Sequence, residues 1–150
     1  MKILLAVDGS PSSDAAAESV ASRPWPADSE IRVLTVDAPI DSGIFSPSAF
    51  DELALKMREE AVARLKRATD LLEQGGTTIP ITPVLREGWP KEAILDEAEQ
   101  WGADLIVVGS HGRGMLRRAL LGSVSQAVAT NASCSVEIVR RPVDSETVSS

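Results

Sequence analysis

Apolar runs and amphipathic stretches alternate along the chain, a pattern typical of a parallel β-sheet whose strands are joined by crossover helices. The apolar runs predict five strands, at residues 3–7, 31–36, 79–85, 105–108 and 135–139. Capping residues and prolines predict helix starts at Ser10-Pro11, at Ser48 with Asp51, at Trp89-Pro90 and at Gly122. The corresponding helix ends are predicted at Arg23-Pro24, Gly75-Gly76, Gly102 and Asn131.

The order of the strands follows from their composition. Strands 3–7 and 105–108 are apolar throughout, which is expected of central strands covered on both faces. Pro80 and Pro83 cannot donate to a ladder, so strand 79–85 is expected at an edge. With right-handed crossovers, these constraints favour the order 3-2-1-4-5. The predicted fold is therefore an α/β fold with an open parallel five-stranded sheet and helices on both faces.

This strand order also predicts where a ligand binds. The strand order reverses between the first and fourth strands. Open α/β sheets bind ligands at such a point, beyond the carboxyl ends of the strands. The residues expected there are Ala6, Val7, Asp8, Gly9 and Ser10 after the first strand, and Val108, Gly109, Ser110, His111 and Gly112 after the fourth.

Composition and charge narrow the function classes. The chain has 150 residues, of which 43% are hydrophobic, and its formal net charge is −7. We expect one domain at residues 1–141 with a polar tail at 142–150. The negative charge disfavours nucleic acid and anionic membranes as partners. Cys134 is the only cysteine, and the apolar run at 3–7 is too short for a secretory signal, so a cytoplasmic location is expected.

A segment with the opposite charge follows the fourth strand. Residues 105–136 contain three arginines and none of the 22 acidic residues. The same segment contains Gly109, Gly112, Gly114 and Gly122, which let backbone N–H groups converge, and a helix begins near Gly122. These features predict an anion cradle, most naturally for phosphate. A tight glycine turn with solvated arginines is the alternative.

The two commonest nucleotide-binding signatures are absent from this segment. Met115-Leu116 occupies the place where a P-loop requires Lys and Ser or Thr. Arg117 occupies the place of the third glycine of a dinucleotide fingerprint.

The glycine spacing does resemble that of a known family. Gly109 and Gly112, followed by nine residues (113 to 121) and then Gly122-Ser123, match the G-x2-G-x9-G-[S/T] motif of the universal stress protein family. The segment at 3–10 is similar to the family's first strand with its ligand-facing aspartate. The resemblance covers residues 1–141 and implies a flavodoxin-like domain of the ATP-binding branch, usually a homodimer.

The resemblance implies roles for individual residues. Asp8 would lie near the adenosine and, through Mg²⁺ or water, the phosphates. The adenine slot would be lined by Ala6, Val7 and Val36, and the ribose and phosphate would be approached by Gly109, Gly112 and Arg113. The phosphates would be held by Gly122, Ser123, Val124 and Ser125. Val108 and Ser110 complete the expected set.

Several residues retain a simpler interpretation. Asp8 could cap its own turn. His111, the only histidine, has no carboxylate near it in sequence to orient it as a base, so solvation or a phosphate contact is expected in preference to catalysis. Cys134 is expected to be a packed residue. One histidine and one cysteine exclude a structural zinc site, and Mg²⁺ is expected only with nucleotide phosphates.

The expected function is that of an ATP-binding, nucleotide-dependent stress-response switch or scaffold, with slow ATP hydrolysis left open. The alternative is a nucleotidyl-transferring or ATP-hydrolysing enzyme of related architecture, but its Ser-Gly-Gly type loop is missing from Asp8-Gly9-Ser10-Pro11. A phosphoacceptor receiver domain is disfavoured by the residues that follow the third and fifth strands. An FMN flavodoxin is disfavoured by the residues that follow the first strand.

A homodimer is expected to form through antiparallel pairing of the fifth strands. Ser135 and Glu137 interrupt the apolar pattern of that strand. Two glutamates near a two-fold axis would repel each other unless an arginine neutralises each, and Arg140 is the expected partner.

Overall fold

A computed structural model describes residues 1–111 and 120–141. The strands are β1 (Lys2–Ala6), β2 (Glu30–Asp37), β3 (Ile81–Glu87), β4 (Leu105–Gly109) and β5 (Ser135–Val139). The helices are α1 (Pro11–Ala21), α2 (Pro47–Gln74), α3 (Pro90–Trp101) and α4 (Ser123–Asn131), with a 3₁₀ turn at Ser42–Ile44. All strand pairs are parallel and the order is β3-β2-β1-β4-β5, which confirms the predicted topology. The predicted polar tail at 142–150 lies outside the described residues.

The two faces of the sheet have separate cores. Successive side chains of a strand point to opposite faces, so Ile3 and Leu5 of β1 pack on one side with α1 and α2. Leu4 and Ala6 pack on the other side with apolar residues of α3 and α4. β1 and the apolar part of β4 are buried on both faces, as predicted for central strands.

The proline-bearing strand β3 occupies a sheet edge, as predicted, although it begins two residues later than the apolar run suggests. The Ile31 N–H donates to the Pro80 carbonyl at 2.9 Å. Because backbone groups alternate in direction along a strand, the nitrogen of Pro83 then points away from β2. β3 pairs with β2 as far as Asp37 and Glu87, and this register sets its end.

Helix α2 begins earlier than predicted. Its N-cap is Ser46, whose Oγ accepts from the Ala49 N–H at 3.3 Å, and Pro47 occupies the first helical position. The predicted cap, Ser48, is inside the helix because proline at N1 is already preorganised for helical geometry. Ser10 caps α1 as predicted, accepting from the Ser13 N–H at 3.2 Å.

Candidate functional site

A cavity of about 640 Å³ opens beyond the carboxyl ends of β1, β2 and β4, at the point where the strand order reverses. Its volume lies in the range of about 300–1,000 Å³ that is usual for small-molecule sites. Apolar residues from strands and helices line much of it: Ala6, Val7, Leu34, Val36, Met57, Pro90, Ile94, Val108, Leu121 and Val124. The cavity therefore offers an apolar slot at the carboxyl end of the sheet.

Asp8 both caps a turn and lines the cavity. Its Oδ1 accepts from the Ser10 N–H at 2.9 Å, and its own N–H donates to Ser13 Oγ at 3.2 Å. Gly9, which follows it, has a φ of 82°, a conformation that favours glycine. The turn between β1 and α1 is thus fixed by its own hydrogen bonds, and it holds the Asp8 carboxylate at the cavity wall.

The residue after β4, Ser110, ties the cavity wall to two other elements. Its N–H donates to the Val139 carbonyl of β5 at 2.9 Å. Its carbonyl accepts from the Gly122 N–H at 2.7 Å and from Ser125 Oγ at 3.0 Å. Ser110 is 1% exposed and is not among the described residues that line the cavity, so its role is to position the wall.

The N-terminus of α4 faces the cavity. Gly122 is the N-cap, and within the described part of the chain no side chain caps this helix. Ser123, Val124, Ser125 and Gln126 line the cavity next to it. Uncapped N–H groups at the positive end of a helix dipole form a suitable site for an anion.

Comparison with known proteins identifies the family. The model of the universal stress protein family matches residues 1–140. The chain belongs to the universal stress protein family. It is 33% identical over 142 residues to universal stress protein MJ0531 of Methanocaldococcus jannaschii, covering 94% of this chain and 82% of that protein.

Solved structures of universal stress proteins share its fold. Protein MJ0577 of the same organism superposes with a TM-score of 0.78 at 31% identity, covering 95% of this chain and 97% of that one. A universal stress protein in complex with cAMP superposes with a TM-score of 0.67 at 28% identity, covering 95% and 98% of the two chains. The five-stranded sheet is therefore the flavodoxin-like sheet of the family.

Most of the predicted site residues come together around the cavity. Those that line it are Ala6, Val7, Asp8, Val36, Val108, Gly109, Gly122, Ser123, Val124 and Ser125. Ser110 lies behind the wall, and Gly112 and Arg113 lie outside the described residues.

The sequence prediction missed the contribution of α2. Met57, Glu60 and Arg64, spaced by three and four residues, line the cavity from one face of this helix. At 28 residues α2 is about 42 Å long, and its buried residues all lie from Ala61 onward. Its first half therefore extends past the sheet beside the cavity. The helical spacing of these residues was visible in the sequence, but the extension of α2 past the sheet was not.

Arg64 is attached to the site by a chain of hydrogen bonds. Its Nε donates to Thr35 Oγ1 at 3.4 Å, and Thr35 Oγ1 donates to the Val7 carbonyl at 2.8 Å. Asp37 and Glu60 also line the cavity, so together with Asp8 three carboxylates surround a site that holds one arginine among its described residues. This charge balance contrasts with the acid-free wall formed by β4 and α4.

Two further features lie outside the cavity: the Cys134 thiol and the apolar character of the helices. Burial raises the pKa of the Cys134 thiol above its ordinary value, so the thiol stays protonated at neutral pH, in keeping with a packed residue. Among the described residues, no helix has the length and apolar character needed to cross a membrane.

Proposed function

We propose that this chain binds an adenine nucleotide, ATP, in the cavity and acts as a cytoplasmic, nucleotide-dependent stress-response switch or scaffold. The uncapped N-terminus of α4 beside an apolar slot is the observation that carries the proposal. Family membership and the relative solved with cAMP support it.

The two parts of the cavity suit the two parts of a nucleotide. Ala6, Val7 and Val36 would hold the adenine in the apolar slot. The phosphates would bind the N–H groups and hydroxyls at Gly122, Ser123, Val124 and Ser125. Such donors bind phosphate without a dedicated lysine. The ribose would lie between them, near Gly109, with Gly112 and Arg113 as further proposed contacts.

Mg²⁺ would be a companion of the phosphates. Asp8 offers a carboxylate at the cavity wall, but its Oδ1 already accepts from the Ser10 N–H. Among the described residues no group of three acidic, histidine or cysteine side chains could hold a metal ion. Asp8 would thus bind the ion directly or through water while phosphates and water supply its other ligands, and the ion would neutralise phosphate charge.

The position of the Ser110–His111 pair at the cavity favours a binding role over efficient catalysis. Ser110 Oγ lies 3.0 Å from His111 Nδ1, but Ser110 is 1% exposed and buried behind the wall. It cannot reach a ligand as a nucleophile. Steady-state release of AMP and pyrophosphate from ATP would favour the enzyme alternative, with about 10 s⁻¹ as the median enzyme value for comparison.

The ligand is tested by the nucleotide content of the protein purified without added nucleotide. After denaturation and chromatography, we expect up to one adenine nucleotide per chain. The stripped protein should then bind ATP, and a hundredfold excess over Kd should stabilise it by about 2.7 kcal/mol. For a chain of this size, that corresponds to a rise in Tm of about 5–10 °C. If millimolar ATP and cAMP produce neither heat nor a thermal shift, the proposal is wrong.

We also propose a homodimer formed by antiparallel pairing of β5 with its copy. In the described ranges β5 pairs with β4 alone, which leaves its other edge open. Glu137, for which Arg140 was the expected partner, forms an ion pair with Arg23, which lies just after α1. The Arg23 guanidinium also lies over the Trp25 ring, 5.0 Å from its centroid. This ion pair would reduce the repulsion between two Glu137 carboxylates near a two-fold axis.

Sedimentation tests the dimer and the role of Arg23. We expect the unmodified chain to be a dimer at micromolar concentration, and Arg23→Ala to weaken the dimer about tenfold because each Glu137 loses its counter-charge. Arg67→Ala is the matched control, since Arg67 pairs with Asp14 on another surface. A monomeric unmodified chain contradicts the dimer, and equal effects of the two variants contradict the role of Arg23.

A further inference from the structure

The backbone of His111, a residue that lines the cavity, is held by three hydrogen bonds. Its N–H donates to Ser12 Oγ at 3.2 Å, and its carbonyl accepts from Ser12 Oγ at 2.7 Å and from Ser10 Oγ at 3.1 Å. Ser10 and Ser12 are buried at the start of α1. The residue is thus clamped between the end of β4 and the first turn of α1.

The imidazole ring is oriented by one of its two nitrogens. Nδ1 lies 3.0 Å from Oγ of Ser110, a side chain that is itself almost fully buried. A hydroxyl that donates to Nδ1 leaves the ring proton on Nε2. When Ser110 Oγ–H is the donor, the ring N–H is therefore on Nε2, and His111 is among the residues that line the cavity.

The second nitrogen, Nε2, is buried and has no hydrogen-bond partner in the part of the chain that the structure describes. A buried polar atom without a partner is unfavourable and calls for an explanation. Its neighbour Ser110 accepts from the Gly122 N–H at the start of α4, which places His111 beside the end of the cavity that suits an anion.

We propose that His111 Nε2–H donates a hydrogen bond to a phosphoryl oxygen of the bound nucleotide, and that Ser110 holds the ring in the required tautomer. This inference rests on the proposed nucleotide site and adds a residue to it. His111 would make the site prefer phosphorylated adenine ligands over adenosine, because only the former offer Nε2–H a charged acceptor.

Two substitutions test the contributions of the two ring nitrogens of His111 separately. His111→Asn keeps a polar group near the position of Nδ1 and removes the outer donor, whereas His111→Gln keeps an N–H donor near the position of Nε2. We expect His111→Asn to weaken ATP binding about 10- to 100-fold, the range for hydrogen bonds to charged groups. Adenosine affinity should be unchanged, and His111→Gln should bind ATP within about threefold of the unmodified chain.

NMR tests the same contact without any substitution. His111 is the only histidine, so long-range ¹H–¹⁵N spectra of ¹⁵N-labelled protein report this ring alone. We expect the Nε2–H tautomer before ligand is added and a shift of the Nε2 resonance with ATP that adenosine does not produce. An Nε2 resonance unmoved by bound ATP overturns the inference, even if the variants misfold.

The outcomes distinguish this inference from the proposed function. If the unmodified chain binds no nucleotide, both are wrong. If it binds ATP and His111→Asn binds ATP equally well, only the inference is wrong. If His111→Asn weakens ATP and adenosine binding by the same factor, the histidine acts on the fold of the site and the inference is again wrong.

Discussion

Gly109→Ala is expected to lower the free energy of unfolding by about 3 kcal/mol, at the upper end of the usual range for overpacking. A Cβ on Gly109 would lie 2.7 Å from both the Ser12 carbonyl carbon and the Ser13 nitrogen, and 2.6 Å from Ser12 Oγ. Two of these atoms belong to the backbone of the first turn of α1, which cannot rotate away. The methyl group would therefore push α1 from the end of β4.

Urea unfolding measures this effect, with Gly43→Ala as the control. A Cβ on Gly43 would approach only Asp41 Oδ1, at 3.2 Å, and that side chain is exposed and able to move. The control should change the free energy of unfolding by less than about 1 kcal/mol. Equal losses for the two variants would show that close packing at Gly109 is not the cause.

The requirement at Gly109 illustrates what a sequence motif leaves undetermined. The resemblance to the family motif implied that Gly109 would approach the ribose and phosphates, and Gly109 does line the cavity. Its missing side chain is nevertheless required by contact with Ser12 and Ser13, almost one hundred residues away in the chain. A single sequence contains no direct signal of such a contact, because packing depends on the whole fold.

The strand order, by contrast, follows from local chemistry. Pro80 and Pro83 exclude β3 from the middle of the sheet, and the unbroken apolar runs of β1 and β4 require cover on both faces. Each constraint acts within one strand, so the sequence alone predicts the order. The location of the cavity then follows from the point where that order reverses.

The charge around the cavity depends on helix length, which is why it was not predicted. The segment after β4 is free of acids, but α2 adds Glu60 and Arg64, and β2 adds Asp37. The two sides of the cavity therefore differ in charge. An anion is favoured beside α4, so a nucleotide bound as proposed would place its phosphates there and its base on the opposite side.

Gly122→Leu is expected to weaken ATP binding at least about 100-fold, or about 2.7 kcal/mol, while the protein stays folded. Gly122 has φ −63° and ψ 157°, an extended conformation that leucine adopts without strain. Its N–H bond to Ser110 and its carbonyl bond with the Gln126 N–H involve only the backbone. Gly122 is buried and lines the cavity, so we expect the new side chain to extend into the space proposed for the phosphates.

Calorimetry with ATP, together with thermal unfolding of the nucleotide-free protein, tests this expectation. Gly43→Leu introduces the same side chain at a glycine outside the cavity lining and should leave binding unchanged. Micromolar ATP binding by Gly122→Leu would mean that the phosphates do not lie at the start of α4. Together with Gly109→Ala, this variant would assign different roles to two glycines of one motif: Gly109 allows α1 to pack against β4, and Gly122 leaves space for the ligand.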